Sequence, residues 1–340
     1  MIRQTIAAAL AALLVAAAPM PSYPIAGTVQ RAAPALDALI PRETKVERVA
    51  EGFTWSEGPV WVREGGYLLF SDVPENKMYR WREGEGASLF LQPSGYAGSD
   101  LSPFREAGSN GLEAGPPGSN TILVADSGSR AIARLDLATK RKQLLADHYG
   151  GKRFNSPNDL VRGPDGSIWF TDPPYGLKDL DASTVKELRV NGVYRLTRAG
   201  NVTLVEGGLT FPNGIALSPD ARTLYVSNSD PKHAVIMAYA LSPDGAVLSR
   251  RVFKDMTALA AKNLPGLPDG MSVDARGNLW ASGPGGMYVF TPDGRELGHI
   301  DAGTAISNCA FGGADGKTLF MTAGHEILRL RTNVRGLVFP

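Results

Sequence analysis

Residues 155–176, with the sequence NSPNDLVRGPDGSIWFTDPPYG, combine a polar start, two short strands and a tight turn in one unit. Pro157 restricts the backbone immediately before Asn158 and Asp159. The run LVR that follows is compatible with a strand, PDG at 164–166 is a turn signature, and IWFT predicts a second strand of opposite direction. The stretch therefore predicts a β-hairpin whose first strand begins with amide and carboxylate oxygens.

This unit occurs six times along the chain, at intervals of 39 to 56 residues. Such a spacing is typical of propeller blades with four strands. Six four-stranded sheets that are arranged radially bury their faces against one another and leave only short edges. The sequence therefore predicts an all-β protein, a six-bladed β-propeller. The polar residues that open the six units are Glu57, Asn110, Asn158, Asn213, Asp269 and Asn308.

The two ends of the chain are expected to meet in one blade. Residues 46–50 alternate like a strand and suit pairing with residues 327–331, so that an N-terminal strand closes the last blade. We divide the chain into a signal peptide at residues 1–26, a linker or wrapping arm at residues 27–43, and a propeller domain at residues 44–340.

The first residues have the composition of a secretory signal peptide. Arg3 precedes an apolar run of about fourteen residues, and small residues follow it before Pro19. The run is short and rich in alanine for a membrane span, which needs about twenty residues. Cleavage near Ala18 or Ala26 would give a periplasmic or secreted protein with no membrane attachment after cleavage.

Several other features narrow the classes of function. Thirty-five basic and 34 acidic side chains leave a formal charge of +1, which excludes an electrostatic footprint for nucleic acid. Cys309 is the only cysteine, so the chain forms no internal disulfide, and its apolar neighbours indicate a buried residue rather than a nucleophile. The four histidines do not have the spacing of a metal site. The sequence also lacks the G-x-S-x-G motif that would indicate a serine esterase.

The six opening residues are the candidate site. The first strand of each propeller blade lies nearest the axis, so the openings are expected to converge at one mouth of the central channel. One Asn or Asp at a strand start is an ordinary turn residue, but six together would repel or stay unsatisfied without a cation. Oxygen ligands without His or Cys favour Ca²⁺, then Mg²⁺ or Mn²⁺, with Zn²⁺ less favoured. Glu57 and Asp269 would neutralise the ion, and Asn158 and Asn213 could add carbonyl oxygens.

Five motifs in order resemble the SMP-30, gluconolactonase and luciferin-regenerating enzyme family, which includes regucalcin. They are SEGPVW at 56–61, NSPNDLV at 155–161, FTDPPYG at 170–176, FPNGIALSPD at 211–220 and LPDGMSVDARGNLWAS at 267–282. The resemblance implies a six-bladed propeller with one catalytic divalent metal in its channel and lactonase activity. It also implies metal ligands at Glu57, Asn213 and Asp269, with Asn158 beside the metal. The regucalcin branch has a substrate-binding arginine where this chain has Ser156.

These residues predict metal-dependent hydrolysis of a small-molecule lactone, with a sugar lactone such as gluconolactone as the first candidate. Asp269 either accepts a proton from the attacking water or only orients a water that the metal activates. The candidate substrate contacts are Asn158, Asn110 and Tyr175; a packed Pro-Pro-Tyr turn is the alternative for Tyr175. Residues 177–191, with a short helical pattern near 183–189, form either a lid or an ordinary surface loop.

Two other functions agree with the same sequence. A non-enzymatic propeller could bind a ligand or a protein and use the metal only as a structural pin on the axis, because a fold does not fix a function. Hydrolysis of phosphotriesters at the same site is the second alternative.

Overall fold

A computed structural model describes residues 22–339, and the predicted fold is confirmed as a six-bladed β-propeller. Each blade is an antiparallel sheet, and the first strand of every blade contacts the first strand of the next blade. The contact between the sixth and the first blade completes the ring. The first strands therefore surround a central channel.

The strands follow the chain blade by blade. The N-terminal arm contains β1 (Thr28–Arg31) and β2 (Glu47–Glu51). Blades 1 and 2 contain β3 (Ser56–Val62), β4 (Tyr67–Asp72), β5 (Lys77–Arg82), β6 (Gly86–Leu91), β7 (Leu112–Ala114), β8 (Thr121–Asp126), β9 (Ala131–Asp136) and β10 (Lys142–Ala146). A two-stranded hairpin, β11 (His148–Tyr149) and β12 (Lys152–Arg153), precedes blade 3.

The second half of the ring has the same order. Blades 3 and 4 contain β13 (Leu160–Arg162), β14 (Ile168–Asp172), β15 (Gly192–Leu196), β16 (Val202–Glu206), β17 (Pro212–Leu217), β18 (Thr223–Asp230), β19 (His233–Leu241) and β20 (Val247–Asp255). Blades 5 and 6 contain β21 (Met271–Val273), β22 (Leu279–Gly283), β23 (Gly286–Phe290), β24 (Glu296–Asp301), β25 (Asn308–Gly312), β26 (Thr318–Ala323) and β27 (Glu326–Arg331).

Helical structure is sparse in residues 22–339. It consists of 3-10 turns at Pro34–Ala38 and Leu180–Ala182 and one α-helical turn, α1, at Thr257–Ala260. The helix expected near residues 183–189 is wrong: this backbone is non-helical, and Leu188 packs into the apolar cluster between blades 2 and 3. Among the described residues, no helix is long and apolar enough to span a bilayer.

The N-terminal arm joins the last two blades. Strand β2 pairs with β27 in the sheet of blade 6, with Glu47 opposite Arg329 and Glu51 opposite Glu326, so the predicted closure of the last blade is confirmed. Strand β1 pairs with β24 and gives blade 5 a fifth strand, which the sequence pattern did not indicate. The proposed signal peptide lies almost entirely outside the described residues.

Apolar clusters between neighbouring blades hold the ring together. Between blades 1 and 2, for example, Leu69 and Met78 pack with Val124 and Ala133. Burial of this kind contributes about 25 cal/mol per Å² of apolar surface removed from water. Cys309 is also buried in such a cluster, as expected.

A cavity lies in the channel beyond the opening residues. This cavity has a volume of about 640 Å³ and is lined by the first strands of all six blades and by residues 335–339. The final residues cross the far end of the channel: the Leu337 amide donates to Val273 O (2.9 Å), and Arg162 Nη2 donates to Phe339 O (2.6 Å). The six opening residues lie at the opposite end of the channel, which we call the mouth.

Candidate active site

The openings of neighbouring blades touch one another around the channel. A glycine follows the opening residue in blades 1, 2, 4 and 5. A Cβ atom at Gly58 would lie 2.1 Å from Asn110 O, and one at Gly214 would lie 2.2 Å from Asp269 O. Gly58 also has a φ of +51°, which favours glycine. The glycines therefore let the predicted polar residues converge.

A ring of serine and threonine hydroxyls holds the openings in register. Each hydroxyl lies within or directly after the second strand of one blade and donates to a backbone carbonyl at the opening of the next blade. The bonds run from Ser71 Oγ to Asn110 O (2.8 Å), from Ser127 Oγ to Pro157 O (2.5 Å), from Thr171 Oγ1 to Asn213 O (2.6 Å) and from Ser227 Oγ to Asp269 O (2.8 Å). These buried bonds fix the backbones that carry the candidate ligands.

Three carboxylates, those of Glu57, Asp159 and Asp269, share this mouth. Burial is the main cause that raises the pKa of Glu57 to about 8, and the charges of Asp159 and Glu106 add to it. Burial, followed by the charge of Glu57, raises the pKa of Asp269 well above its usual range. None of the ion pairs in residues 22–339 includes any of the three carboxylates. The mouth thus gathers three buried carboxyl groups that form no ion pair with a basic side chain in this part of the chain.

Asp159 bridges the channel. Its Oδ2 accepts from Asn308 Nδ2 at 3.3 Å, and blades 3 and 6, which carry these residues, lie opposite each other in the ring. Its Oδ1 accepts from the Leu160 amide at 2.9 Å. Burial raises the pKa of Asp159 to about 7. Asp159 was not among the predicted ligands, although it directly follows Asn158 in the sequence.

The predicted amide ligands are also fixed in place. Asn213 Nδ2 donates to Ser229 Oγ at 3.0 Å, which commits the amide nitrogen to the protein. The Asn158 backbone is held on both sides, since its N–H donates to Thr171 O (2.9 Å) and its carbonyl accepts from the Gly111 amide (2.7 Å).

This donor set fits a hard divalent cation. Asp269 Oδ1 and Asn110 Oδ1 are both buried without a hydrogen-bond partner, which is costly unless a ligand satisfies them. In residues 22–339, no three Asp, Glu, His or Cys side chains come close enough to hold an ion by themselves. A cation at the mouth would therefore need the amide oxygens of Asn158 and Asn213 beside Glu57 and Asp269, a mixture that suits Ca²⁺ better than Zn²⁺.

Tyr175 lies beside this group. Its ring stacks on Phe211 with a centroid separation of 5.6 Å and an interplanar angle of 16°. Burial raises the pKa of the phenol, and the charge of Asp269 raises it further, so Tyr175 is near the mouth. The turn that carries it is held by Ser156, whose Oγ donates to Pro173 O (2.6 Å) and accepts from the Gly176 amide (2.9 Å).

A segment between blades 1 and 2 also reaches the mouth. We call residues 93–108 the crossing segment. The amides of Arg105 and Glu106 donate to Gly176 O at 3.0 and 3.3 Å, and Phe104 forms a bridge with Leu177. The crossing segment thereby brings Glu106, whose pKa burial raises to about 7, toward the candidate ligands. Sequence reasoning missed Glu106, because a non-repeating loop gives no periodic signal.

Comparisons with known proteins agree with this architecture. The family model described as the SMP-30/gluconolactonase/LRE-like region matches residues 55–325. A gluconolactonase from Zymomonas mobilis is 48% identical over 314 residues, which cover 91% of this chain and 87% of that protein. A solved gluconolactonase structure from Xanthomonas campestris has 34% identity and a TM-score of 0.78, covering 93% and 99% of the two chains. A pentonolactonase from Haloferax volcanii is 29% identical and covers 78% of this chain and 80% of that protein.

Proposed function

Since the chain belongs to the SMP-30/gluconolactonase/LRE-like family, we propose that it hydrolyses a sugar lactone with the help of a divalent cation at the mouth of the propeller channel. The chain is a lactone-hydrolysing hydrolase by its 48% identity to a gluconolactonase over most of its length. Gluconolactone is accordingly the first substrate to test. The observation that supports the metal is the pair of carboxylates, Glu57 and Asp269, that share the mouth without an ion-pair partner.

Four residues would hold the cation. Glu57 and Asp269 supply the charge, Asn213 supplies an amide oxygen, and Asn158 lies beside them as a further ligand or a substrate contact. We rank Ca²⁺ first, then Mg²⁺ and Mn²⁺, because all donors are oxygens. A divalent cation in such a site polarises a carbonyl oxygen and lowers the pKa of water, which is the chemistry that ester hydrolysis requires.

Asp269 is the proposed proton acceptor. Its backbone is held from both sides, by Ser282 Oγ at the amide (3.1 Å) and by Ser227 Oγ at the carbonyl (2.8 Å). Its Oδ1 has no hydrogen-bond partner among the described residues, so it can accept a hydrogen bond from the attacking water. Water adds to the lactone carbonyl carbon, the ring C–O bond breaks, and the ring oxygen leaves as a hydroxyl after it receives a proton.

Neutral groups around the carboxylates can bind the substrate hydroxyls. Asn110 contributes an unpartnered amide oxygen, and Tyr175 contributes a phenol that stays protonated because its pKa is raised. Asn158 belongs to the same set if it does not ligate the ion.

A lactone panel on metal-stripped protein tests the function. Acid release is measured for glucono-1,5-lactone, pentonolactones and a phosphotriester, first with chelator and then with Ca²⁺, Mg²⁺, Mn²⁺ or Zn²⁺ restored one at a time. We expect lactone hydrolysis only after a divalent cation is added. Unchanged activity in chelator would reject the metal, and turnover of the phosphotriester alone would reject the lactonase assignment. Absence of all turnover would favour a non-enzymatic propeller.

Export to the periplasm or the exterior is also a proposal. Residues 24–26 contact the arm, since the Ala26 amide donates to Val46 O and the Arg48 amide donates to Pro24 O, both at 2.9 Å. Cleavage near Ala18 would keep these bonds, whereas cleavage at Ala26 would remove them, so we favour the earlier point. N-terminal sequencing of the protein from a periplasmic fraction tests this choice, and a mature protein that begins after Ala26 would contradict it.

A further inference from the structure

We propose that Glu106 binds the hydroxyl groups of the substrate and thereby selects polyhydroxylated lactones over lactones without hydroxyls. This role is distinct from cation binding and from proton transfer, and it rests on the proposed lactonase function. The position of Glu106 at the mouth results from three features of the structure: a braced crossing segment, its attachment to the Pro-Pro-Tyr turn, and the electrostatic surroundings of the carboxylate.

The start of the crossing segment is tied to blades 1 and 2. Asn76 binds it with both ends of its amide: Nδ2 donates to Tyr96 O (2.8 Å), and Oδ1 accepts from the Gly95 amide (2.7 Å). Lys142 Nζ donates to Gly95 O at 2.8 Å and is paired with Asp126 at 2.5 Å. The segment is therefore a fixed part of the mouth.

The end of the crossing segment is attached to blade 3. Gly176 O accepts from the amides of Arg105 and Glu106, and the Gly176 amide donates to Ser156 Oγ. Space is tight here, since a Cβ atom at Gly176 would lie 2.8 Å from Ser156 Cβ and 3.2 Å from Glu106 O. These contacts fix the backbone of Glu106 relative to Tyr175.

The same attachment withdraws Ser156 from the substrate. Ser156 is 1% exposed, and its hydroxyl donates to Pro173 O and accepts from the Gly176 amide. The charged side chain at this part of the mouth therefore comes from the crossing segment.

Glu106 lies on the part of the crossing segment that is bonded to Gly176, the residue after Tyr175. Burial is the main cause that raises the pKa of Glu57, of Asp269 and of Tyr175, and the charge of Glu106 adds to it in each case. The side chain is 15% exposed, and its ion pair with Arg105 is 3.5 Å long and involves an arginine that is 55% exposed. Such a pair is weak, so both carboxylate oxygens can accept hydrogen bonds from neighbouring hydroxyls of a sugar lactone. Bonds to a charged acceptor are stronger than bonds between neutral groups.

Two lactones that share a ring but differ in hydroxyls test the inference. We would compare Glu106→Gln with the unsubstituted δ-valerolactone and with glucono-1,5-lactone, using the full chain and saturating Ca²⁺. For gluconolactone we expect kcat/KM to fall about 10- to 100-fold, mainly through KM, because a hydrogen bond to a charged group is lost. For δ-valerolactone we expect a change of less than about twofold, because this lactone makes no such bond.

Asp100→Asn is the matched control. Asp100 lies on the same crossing segment, and its carboxylate accepts from the Ser102 amide at 3.0 Å, a bond that asparagine can keep. We expect unchanged kinetics with both lactones. Glu106→Asp is a second variant, which keeps the charge but shortens the reach, and it should give an intermediate loss on gluconolactone alone.

Three outcomes would overturn the inference while leaving the lactonase function intact. Equal losses on both lactones would assign Glu106 to the reaction itself. A parallel loss of Ca²⁺ affinity in calorimetric titration of Glu106→Gln would make Glu106 a ligand of the ion. Unchanged KM for gluconolactone would remove Glu106 from the substrate site. Absence of lactone turnover in the unmodified protein would instead reject the proposed function and this inference together.

Discussion

Two groups of carboxylates in this propeller have opposite surroundings. At the mouth, Glu57 and Asp269 form no ion pair with any residue between 22 and 339, and burial raises the pKa of both. At the closure of the ring, Glu47 and Glu83 both pair with Arg329, Glu47 at 2.8 Å, and the guanidinium also lies 4.7 Å from the ring centroid of Tyr23. A bound cation can relieve the repulsion between Glu57 and Asp269. The charges of Glu47 and Glu83 are already balanced by Arg329.

The difference indicates that the carboxylates at the mouth serve ligand binding, whereas those at the closure of the ring serve the stability of the fold. Unpaired buried charge lowers the stability of the free protein and is retained where a ligand compensates for it. Paired charge at the edge of a sheet instead links strands that are distant in sequence. Substitutions in the two groups should therefore change different properties, and the following four experiments test this separation in order of expected effect.

The largest effect is expected from neutralising one carboxylate in each group. Glu57→Gln should lower kcat/KM for gluconolactone about 10³-fold, because the site loses charge that stabilises the transition state. Glu47→Gln is the matched control and should change kcat/KM less than about twofold, because Glu47 lies at the closure. Steady-state kinetics at saturating Ca²⁺ measure both. A similar loss in the two variants would show that the groups are not separate.

A divalent cation should stabilise the protein by binding to the carboxylates at the mouth and not to those at the closure of the ring. At a Ca²⁺ concentration of about 100 times Kd, the free energy of unfolding should rise by about 2.7 kcal/mol. Differential scanning calorimetry with and without Ca²⁺ would show this rise in the unmodified protein and in Glu47→Gln, but not in Glu57→Gln. Equal stabilisation of all three would place the ion elsewhere.

The stability of the cation-free protein should fall as pH rises. Burial raises the pKa of Glu57 to about 8 and of Asp159 to about 7, against about 4 in an unfolded chain. The folded state therefore binds more protons between about pH 4 and pH 8, so stability is greatest below this window and is lost as pH rises through it.

Thermal unfolding in chelator at several pH values between 5 and 8 measures this dependence. Glu57→Gln should have a smaller decline, by at most about 1.4 kcal/mol per pH unit, which is the contribution of one titrating group. An identical loss of stability with rising pH in the two proteins would mean that the pKa of Glu57 is not raised in the folded state. Added Ca²⁺ should also reduce the decline, since the ion binds the deprotonated form.

The smallest effect is expected at the closure. Arg329→Met should lower the free energy of unfolding by about 1–3 kcal/mol, because it leaves Glu47 and Glu83 without their shared partner and removes contacts with aromatic rings. The matched control is Arg331→Met, whose arginine is 56% exposed and pairs only with Asp315, and it should cost about 0–1 kcal/mol. Denaturant unfolding measures both. An equal loss of unfolding free energy in the two variants would mean that the ion pairs of Arg329 stabilise the protein no more than an exposed pair does.

Much of this organisation was visible in the sequence because it repeats. The polar openings recur at one place in each unit, and the alternating pattern of residues 46–50 indicated the closing strand. The same hairpin pattern with a polar first residue is present in six copies, so an irregularity in one copy does not hide it. For this reason the fold and the positions of Glu57, Asn213 and Asp269 at the mouth could be predicted. The ion itself and the signal peptide stay predictions.

The features that sequence reasoning missed occur only once. Asp159 adjoins Asn158, and neighbouring residues of a strand point to opposite faces, but β13 begins only at Leu160, so both residues can reach the channel. Glu106 is brought to the mouth by backbone bonds to Gly176, a residue 70 positions later in the chain. Four-residue β1 lies in a segment rich in Ala and Pro, where composition suggested no strand.

The pairing of β2 with β27 also determines the order in which the protein can fold. Glu47 and Arg329 are 282 positions apart, so β2, which is made early, cannot pair until β27, the last strand, has been made. Contacts between such distant residues form slowly, because the entropy of closing the intervening loop is lost before the contacts are gained. Until the ring closes, β2 and β27 each present an unpaired edge that can pair with another chain. Refolding yield should therefore depend on protein concentration, with ring closure as the step that competes with aggregation.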